Sequence, residues 1–590
     1  MNDEAPVAQV PNERRRDWPP VAILALLALA IGTIVWLANR QPPKLAERTA
    51  ESGLPLTREQ RSVEFVSADL TFDVQPDSRR LDARALLEFL VEAPIGRLQF
   101  DLDPERPIES IAADGQVLPA SSWANDGGLV TVKLPAANRA GDRLALAVAY
   151  GGKPHVARKP PWDGGFVWAS TRNGRPWVAT AVEGEGCDLI WPCFDNSRVE
   201  VGTVTQHIVV PKGLAAPSNG RLLGVDRLAD GRTRWNWRAS HPNNYAIAID
   251  VAPYKLAQTI YYSRFGNHFP IQYWYLPGEE KQAAALLAEM IRTVGFFEGT
   301  IGPYPWGDEK VGVVETPHLG MEHQTINAYG NGYKTAPDGY DWLFNHEFSH
   351  EWFGNQLTNA DWDDMWLHEG FATYMQPVTL GWLRGRMAYD SAMFKQRQQI
   401  ANKHPIVSGR HRTDSEVSDS TIGPANDIYY KASWMLHTLH GLIGDDAFWR
   451  ATRRTVYGRP DPRPGNFEPR FASTDEFVAV ASQEAHRDLG WFFDVYLRQA
   501  HLPRLASWRK GRTLYLQWKT PRGLPFPLPV EVEVGGTRQI VPMQGGHGSI
   551  VLPAWYSLFT LDPDSKILRQ SDEIDRYRDD RATKKPYGPS

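Results

Sequence analysis

The pattern of apolar and polar positions predicts strands in the first part of the chain. Apolar residues alternate with polar ones in VEFVSADLTFDV from Val63, in LVTVKL from Leu129 and in RLALAVAY from Arg143. Alternation of this kind is typical of strands with one buried face, and turn residues separate the three segments. We therefore predict an antiparallel β domain over residues 61–255.

The period of the pattern changes after this domain. EEKQAAALLAEMIRTVGFFEGTIG, from Glu279, has helical spacing, glutamates in its first turn and a glycine near its end. KVGVVETP, from Lys310, is typical of a buried strand, and helical patterns dominate from Trp342 onward. These features predict a mostly helical domain over residues 256–505.

Strand alternation returns near the C-terminus, in TLYLQWK from Thr513 and in LPVEVEV. We interpret this part as a small β-sandwich module over residues 506–568. The segment 569–590 is charged and contains proline, which is typical of a frayed tail.

An uncharged apolar run, VAILALLALAIGTIVWLA, spans residues 21–38. Its length suffices for one transmembrane helix. A cleaved signal peptide is the alternative because Arg14 to Arg16 precede the run, but its end lacks the small residue that cleavage requires. We expect an uncleaved anchor over 19–39, between a tail at 1–18 and a linker at 40–60.

The orientation of this anchor is not decided by charge, since basic residues flank the run on both sides. For such an anchor, the short N-terminal tail usually stays in the cytoplasm and the rest of the chain is translocated across the membrane. We therefore expect a single-pass protein of a bacterial inner membrane, with its catalytic domains on the periplasmic side.

Composition and charge exclude some classes of protein. The 42% of hydrophobic and 23% of charged residues are ordinary for globular domains, and a net charge of −5 without a basic stripe argues against nucleic-acid binding. With only Cys187 and Cys193, no disulfide framework holds the fold, although the two could pair in an oxidising compartment. The oligomeric state stays open.

Candidate chemistry is concentrated in FNHEFSHEWFGNQLTNADWDDMWLHEGFATY, which begins at Phe344. If DWLFNHEFSHEWFG is a helix that stops at Gly354, His346 and His350 lie one turn apart on the same face. Two neutral imidazoles so placed can bind one Zn²⁺, and Glu347 beside them can take a proton from a zinc-activated water.

A third ligand completes such a site, because catalytic zinc usually has three protein ligands. Glu369, separated from His350 by eighteen residues, can supply it from a second helix. Asp364 could hydrogen-bond an imidazole N–H and fix its tautomer. Lone helical histidines are mostly structural, but unpaired polar groups are costly in so apolar a segment. We therefore predict one zinc ion per chain.

Four segments together resemble the gluzincin zinc aminopeptidases, the family of aminopeptidase N and leukotriene hydrolase. HEFSHEWFGN followed by WLHEGFATY is similar to the zinc-binding motif, and HLGMEHQ from His318 to the GxMEN exopeptidase motif. EGCDLIWPCFDNSR from Glu185 resembles FPCFDEP, and IYYKASWMLHTLH from Ile428 resembles YxKG. The resemblance covers about residues 60–565. It implies a multidomain α+β fold with an N-terminal β domain, a thermolysin-like catalytic domain and a C-terminal β-sandwich.

The resemblance also implies substrate-binding residues. Gly320, Met321 and Glu322 match the exopeptidase motif, which lies on an edge strand beside the zinc, and its glutamate binds the free α-ammonium of a peptide. That contact fixes the N-terminus so that only the first peptide bond reaches the metal. Leu319 and His323 replace the usual Gly and Asn, which bears on the shape and selectivity of the site.

Further roles follow from the same resemblance. A second amine-contacting position falls on Glu183, with Glu185 as the alternative. The tyrosine that stabilises the oxyanion falls on Tyr429, with Tyr430 as the neighbouring alternative. His368 replaces the Asn that usually precedes the third ligand, and we expect it to pack rather than to bind metal.

We predict a zinc-dependent aminopeptidase that acts on peptides with a free N-terminus and uses Glu347 as general base. A thermolysin-like endopeptidase, which would not need Glu322, is one alternative. An epoxide hydrolase of the leukotriene-hydrolase type shares most of these residues, and a catalytically inactive, zinc-structured binding module is the third alternative. Many relatives continue into a large helical domain where this chain stops, so we expect a more open cleft.

Overall fold

A computed structural model describes residues 45–336, 339–465 and 467–572 of the chain. The expected membrane anchor at 19–39 lies outside these residues and stays a prediction. Within the described ranges, no helix combines the length and hydrophobicity that crossing a bilayer requires.

The N-terminal part is built on an eight-stranded sheet with the order β12-β13-β11-β1-β2-β8-β4-β5. The strands β3, β7 and β6 form a second sheet, and β9 pairs with β10. The strand bounds are β1 Val63–Gln75, β2 Arg80–Val91, β3 Ile95–Asp101, β4 Ile108–Ala113, β5 Gln116–Val117, β6 Trp123–Asp126, β7 Leu129–Asn138, β8 Arg143–Tyr150, β9 Gly165–Ser170, β10 Pro176–Ala181, β11 Thr203–Val210, β12 Arg221–Arg227 and β13 Thr233–Ser240.

The expectation of a purely antiparallel domain is wrong for one pair of strands. β1 and β11 run parallel, with Ser67 opposite Thr203 and Asp73 opposite Val209. The alternation of apolar residues along β1 was read correctly, since it buries one face of the strand. Alternation reports which face is buried and carries no information on strand direction.

A second, mixed sheet carries the edge strand beside the site. Its order is β14-β15-β16-β18-β17, so β17 lies at one edge. Every residue of β16 is buried, as expected for KVGVVETP, and helix α1 packs against this sheet. The bounds are β14 Lys255–Tyr262, β15 His268–Tyr275, α1 Glu280–Thr300, β16 Val311–Glu315, β17 Gly320–Met321 and β18 Asn327–Tyr329.

Helices dominate the next part of the chain, as the sequence predicts. They are α2 Trp342–Ser349, α3 Trp366–Arg384, α4 Arg386–Arg397, α5 Asp414–Ser418, α6 Tyr430–Ile443, α7 Asp445–Tyr457, α8 Thr474–Glu484 and α9 Gly490–Tyr496. Two short strands, β19 Leu357–Asn359 and β20 Arg470–Ala472, pair in parallel between them.

Two three-stranded antiparallel sheets follow, with the orders β21-β22-β25 and β24-β23-β26. Their strands are β21 Arg504–Lys510, β22 Thr513–Lys519, β23 Val530–Val534, β24 Thr537–Val541, β25 His547–Val551 and β26 Phe559–Leu561. β21 was missed in the sequence because most of its side chains are exposed and show no alternation. The backbone N–H of Leu568 donates to Thr438 Oγ1 of α6 at 2.9 Å, and one apolar core runs from Phe269 to Leu568.

A disulfide joins Cys187 and Cys193. The loop that it closes is pinned to β3, because the backbones of Asp101 and Cys193 exchange two hydrogen bonds of 2.8 and 3.1 Å. The same loop follows Glu183, so the bond stiffens a segment that reaches the site described below.

Loss of this bond should destabilise the N-terminal domain. A Cys187→Ala/Cys193→Ala variant is expected to lose roughly 2 kcal/mol of unfolding free energy, the amount that closing so short a loop removes from the unfolded chain. Urea unfolding followed by tryptophan fluorescence measures the change. A reducing agent should lower the midpoint of the unmodified protein and leave that of the variant in place; equal midpoints throughout would contradict the prediction.

Candidate active site

Three side chains converge where α2 ends and α3 begins. His346 Nε2 and His350 Nε2 lie 3.2 and 3.6 Å from Glu369 Oε2, and 3.4 Å from each other. An ion at about 2.0–2.1 Å from two tetrahedral ligands separates the ligand atoms by roughly 3.3 Å. The triangle therefore has the size and the donor set of a zinc site.

Helix α2 holds the two histidines in place through its N-terminal cap. Asp341 Oδ1 accepts from the backbone N–H groups of Leu343 and Phe344, each at 3.1 Å. Phe344 and Phe348 stack with ring centroids 5.4 Å apart and are both buried. The cap and the apolar face together fix the rotation of the helix about its axis.

His350 occupies the C-cap of α2, although the sequence predicted a helix running to Gly354. The helix ends at Ser349, but His350 keeps helical backbone angles, with φ −66° and ψ −15°. Its side chain thus stays one turn from that of His346. Its Nδ1 hydrogen-bonds the carbonyl oxygen of Phe353 at 2.8 Å, which leaves Nε2 free to face a metal.

The role expected for Asp364 is wrong. Its Oδ1 accepts hydrogen bonds from the backbone N–H and the hydroxyl of Thr474, at 2.8 and 2.7 Å. Asp364 therefore links the start of α3 to the start of α8. The imidazole of His350 is instead oriented by its hydrogen bond to the carbonyl oxygen of Phe353. Proximity to Glu369 in the sequence does not place Asp364 at the histidines, because Asp364 belongs to the short 3-10 turn Trp362–Asp364 that precedes the helix.

His368 packs beside the site, as expected. Its Nε2 accepts a hydrogen bond of 3.0 Å from the backbone N–H of Asn359. Burial lowers the pKa of its imidazole to about 4, so the ring is neutral near pH 7. It belongs to neither group of side chains whose atoms could share a metal ion among the described residues.

Glu347 lies against the edge strand β17. A Cβ atom on Gly320 would come within 2.1 Å of Glu347 Oε1, so only glycine lets this strand pass so close to the carboxyl. Burial raises the pKa of Glu347 well above its usual range, and the charges of Glu322 and Glu369 add to the rise against the opposing effect of His346.

Glu322 is held from two sides. The hydroxyl of Tyr245 donates to Glu322 Oε1 at 2.7 Å, and Asn355 Nδ2 donates to the backbone carbonyl of Glu322 at 3.0 Å. Ligand atoms of Glu322, Glu347 and His350 lie within 4.8 Å of one another. The acid predicted to bind the substrate amine therefore lies next to the metal ligands.

Glu183, rather than Glu185, faces the cavity. Burial and the charges of Glu322 and Glu369 raise the pKa of Glu183 well above its usual range. Glu185 accepts a hydrogen bond from the backbone N–H of Gly164 and does not line the cavity. Of the two glutamates only Glu183 lines the cavity, and its contact with a substrate amine stays a prediction.

Tyr429 lies at the junction between a 3-10 turn and helix α6. Its ring is stacked on that of His346, with centroids 6.3 Å apart. Burial raises the pKa of the Tyr429 phenol, and the charge of Glu369 and a hydrogen bond between the two side chains raise it further. Tyr430 also lines the cavity. Burial raises the pKa of its phenol, and the charge of Glu369 adds to the rise.

These side chains line one cavity of about 660 Å³. Its walls combine acids and the metal triangle with apolar residues from several elements: Leu319, Met321, Trp342, Leu343, Met365, Val417 and Ile428. Sequence reasoning missed two residues of the site: Asp414, which lines the cavity, and Tyr245, which hydrogen-bonds Glu322. Neither lies in a recognisable motif, and both join the site only through the fold.

Comparison with known proteins identifies the domain that carries the triangle. Residues 339–496 match the peptidase family M1 domain. This segment is an M1 peptidase domain. The resemblance to the gluzincin aminopeptidases is thereby confirmed.

Aminopeptidase B from Mus musculus is 27% identical to the M1-containing chain over 360 residues, which cover 57% of this chain and 51% of the relative. Aminopeptidase B from Homo sapiens is 25% identical over 411 residues, covering 63% and 59%. The chain thus spans about half the length of these curated relatives. An M1 zinc metallopeptidase from Deinococcus radiodurans shares the fold, with a TM-score of 0.62 and 22% identity over 77% of this chain and 98% of that one.

Removal of a ligand from the triangle should abolish stoichiometric zinc binding in this M1 domain. The variants His346→Ala and His350→Ala are each expected to bind zinc at least about 100-fold more weakly, because two protein ligands do not make a stable catalytic zinc site. Atomic absorption after dialysis against a weak chelator measures the bound metal. His368→Gln is the matched control and should keep one zinc per chain; equal loss in the control would place the metal elsewhere.

Proposed function

We propose that this protein is a zinc-dependent aminopeptidase that hydrolyses the N-terminal peptide bond of peptides. One juxtaposition carries the proposal: the triangle of His346, His350 and Glu369 lies beside the carboxyl of Glu322. A zinc site by itself supports hydrolysis, whereas an acid that binds an ammonium next to it restricts cleavage to the end of a chain. The names of the relatives, aminopeptidase B, support the same activity.

The residues around the triangle have different roles in the proposed peptide hydrolysis. Zinc held by the triangle would act as a Lewis acid on the scissile carbonyl and on water. Glu347 is positioned to accept the proton of the attacking water and to pass it to the leaving amine. A raised pKa makes its carboxylate a stronger base for the first step.

Tyr429 and the two amine-site glutamates position the substrate. The Tyr429 hydroxyl, beside Glu369, is placed to donate a hydrogen bond to the carbonyl oxygen as negative charge develops there. Glu322 and Glu183 are placed to accept hydrogen bonds from the α-ammonium. Binding at both ends of the first residue holds its peptide bond over the metal.

The balance of charge supports this assignment. Glu183 and Glu347 both have a raised pKa, since burial and the charges of Glu322 and Glu369 disfavour their charged forms. Glu369 shares the same cavity. A divalent ion and a substrate ammonium together supply the positive charge that such a cluster needs.

We also propose that the protein acts outside the cytoplasm, in the periplasmic location expected from the apolar run at 21–38. The bond between Cys187 and Cys193 supports an oxidising compartment.

Activity should require zinc, Glu347 and a free N-terminus. A panel of aminoacyl fluorogenic substrates is expected to be hydrolysed, with activity lost in 1,10-phenanthroline and restored by zinc. Glu347→Ala should lower kcat by about 10²–10⁴-fold, the usual contribution of a general base, while keeping one zinc per chain. Full activity in the presence of 1,10-phenanthroline would contradict the proposal. Cleavage of N-acetylated peptides would favour an endopeptidase, and turnover of epoxides alone an epoxide hydrolase.

Glu322 should matter for the substrate amine in particular. Glu322→Gln is expected to lower kcat/KM by about 10- to 100-fold, since a hydrogen bond to a charged group contributes about 1.5–3 kcal/mol. Tyr245→Phe is the companion variant, which removes only the hydroxyl that donates to Glu322 and should lower kcat/KM less. Steady-state kinetics on one aminoacyl substrate compare the two. A Glu322→Gln enzyme with unchanged kcat/KM would remove Glu322 from the amine site.

A further inference from the structure

We propose that the tip of the C-terminal β module binds the surface of an anionic phospholipid bilayer. The tip consists of the loop 552–558, which joins β25 to β26, and of residues 509–513, where β21 turns into β22. The inference goes beyond the proposed hydrolysis, because none of these residues lines the active-site cavity. It is carried by the exposed aromatic side chains of the loop and by the unpaired cations beside them.

The loop exposes several large apolar side chains to solvent. Trp555 and Tyr556 are 71% and 70% exposed, and Leu558 is 87% exposed. Val551, which precedes the loop, is 65% exposed. Single apolar residues are common on protein surfaces, whereas a contiguous exposed group is typical of an interaction site.

Hydrogen bonds hold the loop in this conformation. The backbone N–H of Ala554 donates to Ser557 Oγ at 3.0 Å, and the backbone N–H of Ser557 donates to the carbonyl oxygen of Ala554 at 3.1 Å. Trp555 and Tyr556 are thus the central residues of a closed turn. Because the protein itself orders this turn, a ligand does not have to supply the free energy of ordering it.

Two arginines attach the loop to the neighbouring turn between β21 and β22. Arg509 donates to the carbonyl oxygens of Trp555, at 2.8 Å, and of Ser557. Arg512 Nε donates to the carbonyl oxygen of Leu552 at 3.0 Å, and the backbone N–H of Leu552 donates to the carbonyl oxygen of Arg512 at 2.8 Å. Both guanidinium groups therefore lie against the loop that carries the exposed rings.

The charge of the tip has one sign. Lys510 is exposed at the end of β21 and adds a third cation to Arg509 and Arg512. Among the described residues, none of the three has an acidic partner in an ion pair. The segments 495–530 and 534–561 contain neither aspartate nor glutamate. Such a surface is complementary to a negatively charged one.

The two glutamates of β23 are paired with other cations. Glu531 Oε2 lies 3.1 Å from Lys566 Nζ, and Glu533 Oε2 lies 3.0 Å from Arg538 Nε. They are therefore not the counter-charges of the tip, and the three cations of the tip are available to an anionic ligand.

A phospholipid surface matches both parts of the tip. Tryptophan and tyrosine favour the boundary between headgroups and hydrocarbon, and leucine favours the hydrocarbon. Lysine and arginine beside them are attracted by the phosphate groups of an anionic leaflet. The apolar run at 21–38, which we expect to be a membrane anchor, would tether the folded domains to such a surface.

The test uses the full chain with one fluorescent label on the tip. Because Cys187 and Cys193 are joined to each other, a Tyr556→Cys variant offers a single thiol for a nitrobenzoxadiazole label. In vesicles of phosphatidylcholine and phosphatidylglycerol, we expect its emission to shift to shorter wavelength and to be quenched by nitroxide groups on the lipid tails. The label reports lipid contact of the tip whether or not the run at 21–38 inserts.

A Tyr262→Cys variant provides the matched label position. Tyr262 ends β14, is 78% exposed and lies outside the C-terminal module. Its label should show neither the shift nor the quenching. No shift at position 556, or equal shifts at both positions, overturns the inference.

Lys510→Glu, in the labelled variant, tests the contribution of charge. It should lower the ratio of lipid-bound to free tip by about 10- to 30-fold, because removing one cation and adding one anion each change the ratio about fivefold. Lys519→Glu is the matched control, since Lys519 is also exposed but lies at the opposite end of β22. Equal loss in both variants, or undiminished contact in vesicles of phosphatidylcholine alone, overturns the choice of an anionic lipid.

A Trp555→Ser/Leu558→Ser variant separates this inference from the proposed function. It should lose lipid contact of the label by at least about tenfold, while hydrolysis of soluble aminoacyl substrates stays within about twofold of the unmodified protein. Unchanged lipid contact overturns the inference and leaves the proposed function untouched. A label that is shielded without lipid, in a chain that sediments as a dimer, would assign the tip to a second copy and overturn the inference as well.

Discussion

The packing of helix α2 against helix α3 is the constraint on which the site depends. His346 and His350 come from one helix and Glu369 from the other, so their atoms meet only if the two helices keep their spacing and rotation. Phe353, four residues after the end of α2, stacks on Phe371 of α3 with centroids 4.6 Å apart, and both rings belong to the buried core. Rigid apolar packing of this kind keeps three ligand atoms within a few ångströms before any ion binds.

The electrostatics of the cavity follow from this arrangement. Packing that brings Glu369 to the histidines also brings it near Glu183, Glu322 and Glu347, and burial keeps water from screening the repulsion among the four. The folded protein therefore holds several buried carboxyl groups close together, and their repulsion costs free energy when they are charged. A bound metal ion and the ammonium group of a substrate offset this repulsion, so the charged carboxylates are more stable when the site is occupied.

Backbone geometry limits how the amine site can be built. Edge strand β17 passes Glu347 at a distance that excludes even a methyl group on Gly320. Glu322 directly follows this strand, and Tyr245 from the N-terminal β domain donates a hydrogen bond of 2.7 Å to its carboxyl. The β domain thus contributes directly to the site, through Tyr245 and Glu183, and is more than a support for the catalytic helices.

The sequence by itself determined the strand and helix segments with strong periodicity and the pairing of His346 with His350, because their spacing places them on one face of any helix. Glu369 joins the two histidines only through the packing of α3 on α2. It did not determine the parallel pairing of β1 with β11, the partner of Asp364 or the choice of Glu183 over Glu185, since each depends on where distant segments meet. Asp414 belongs to the same group: it comes 231 positions after Glu183 in the chain and reaches it only in the folded protein. The sequence determines which residues close in the chain share a face of a helix or strand. Tertiary packing determines which residues far apart in the chain come into contact.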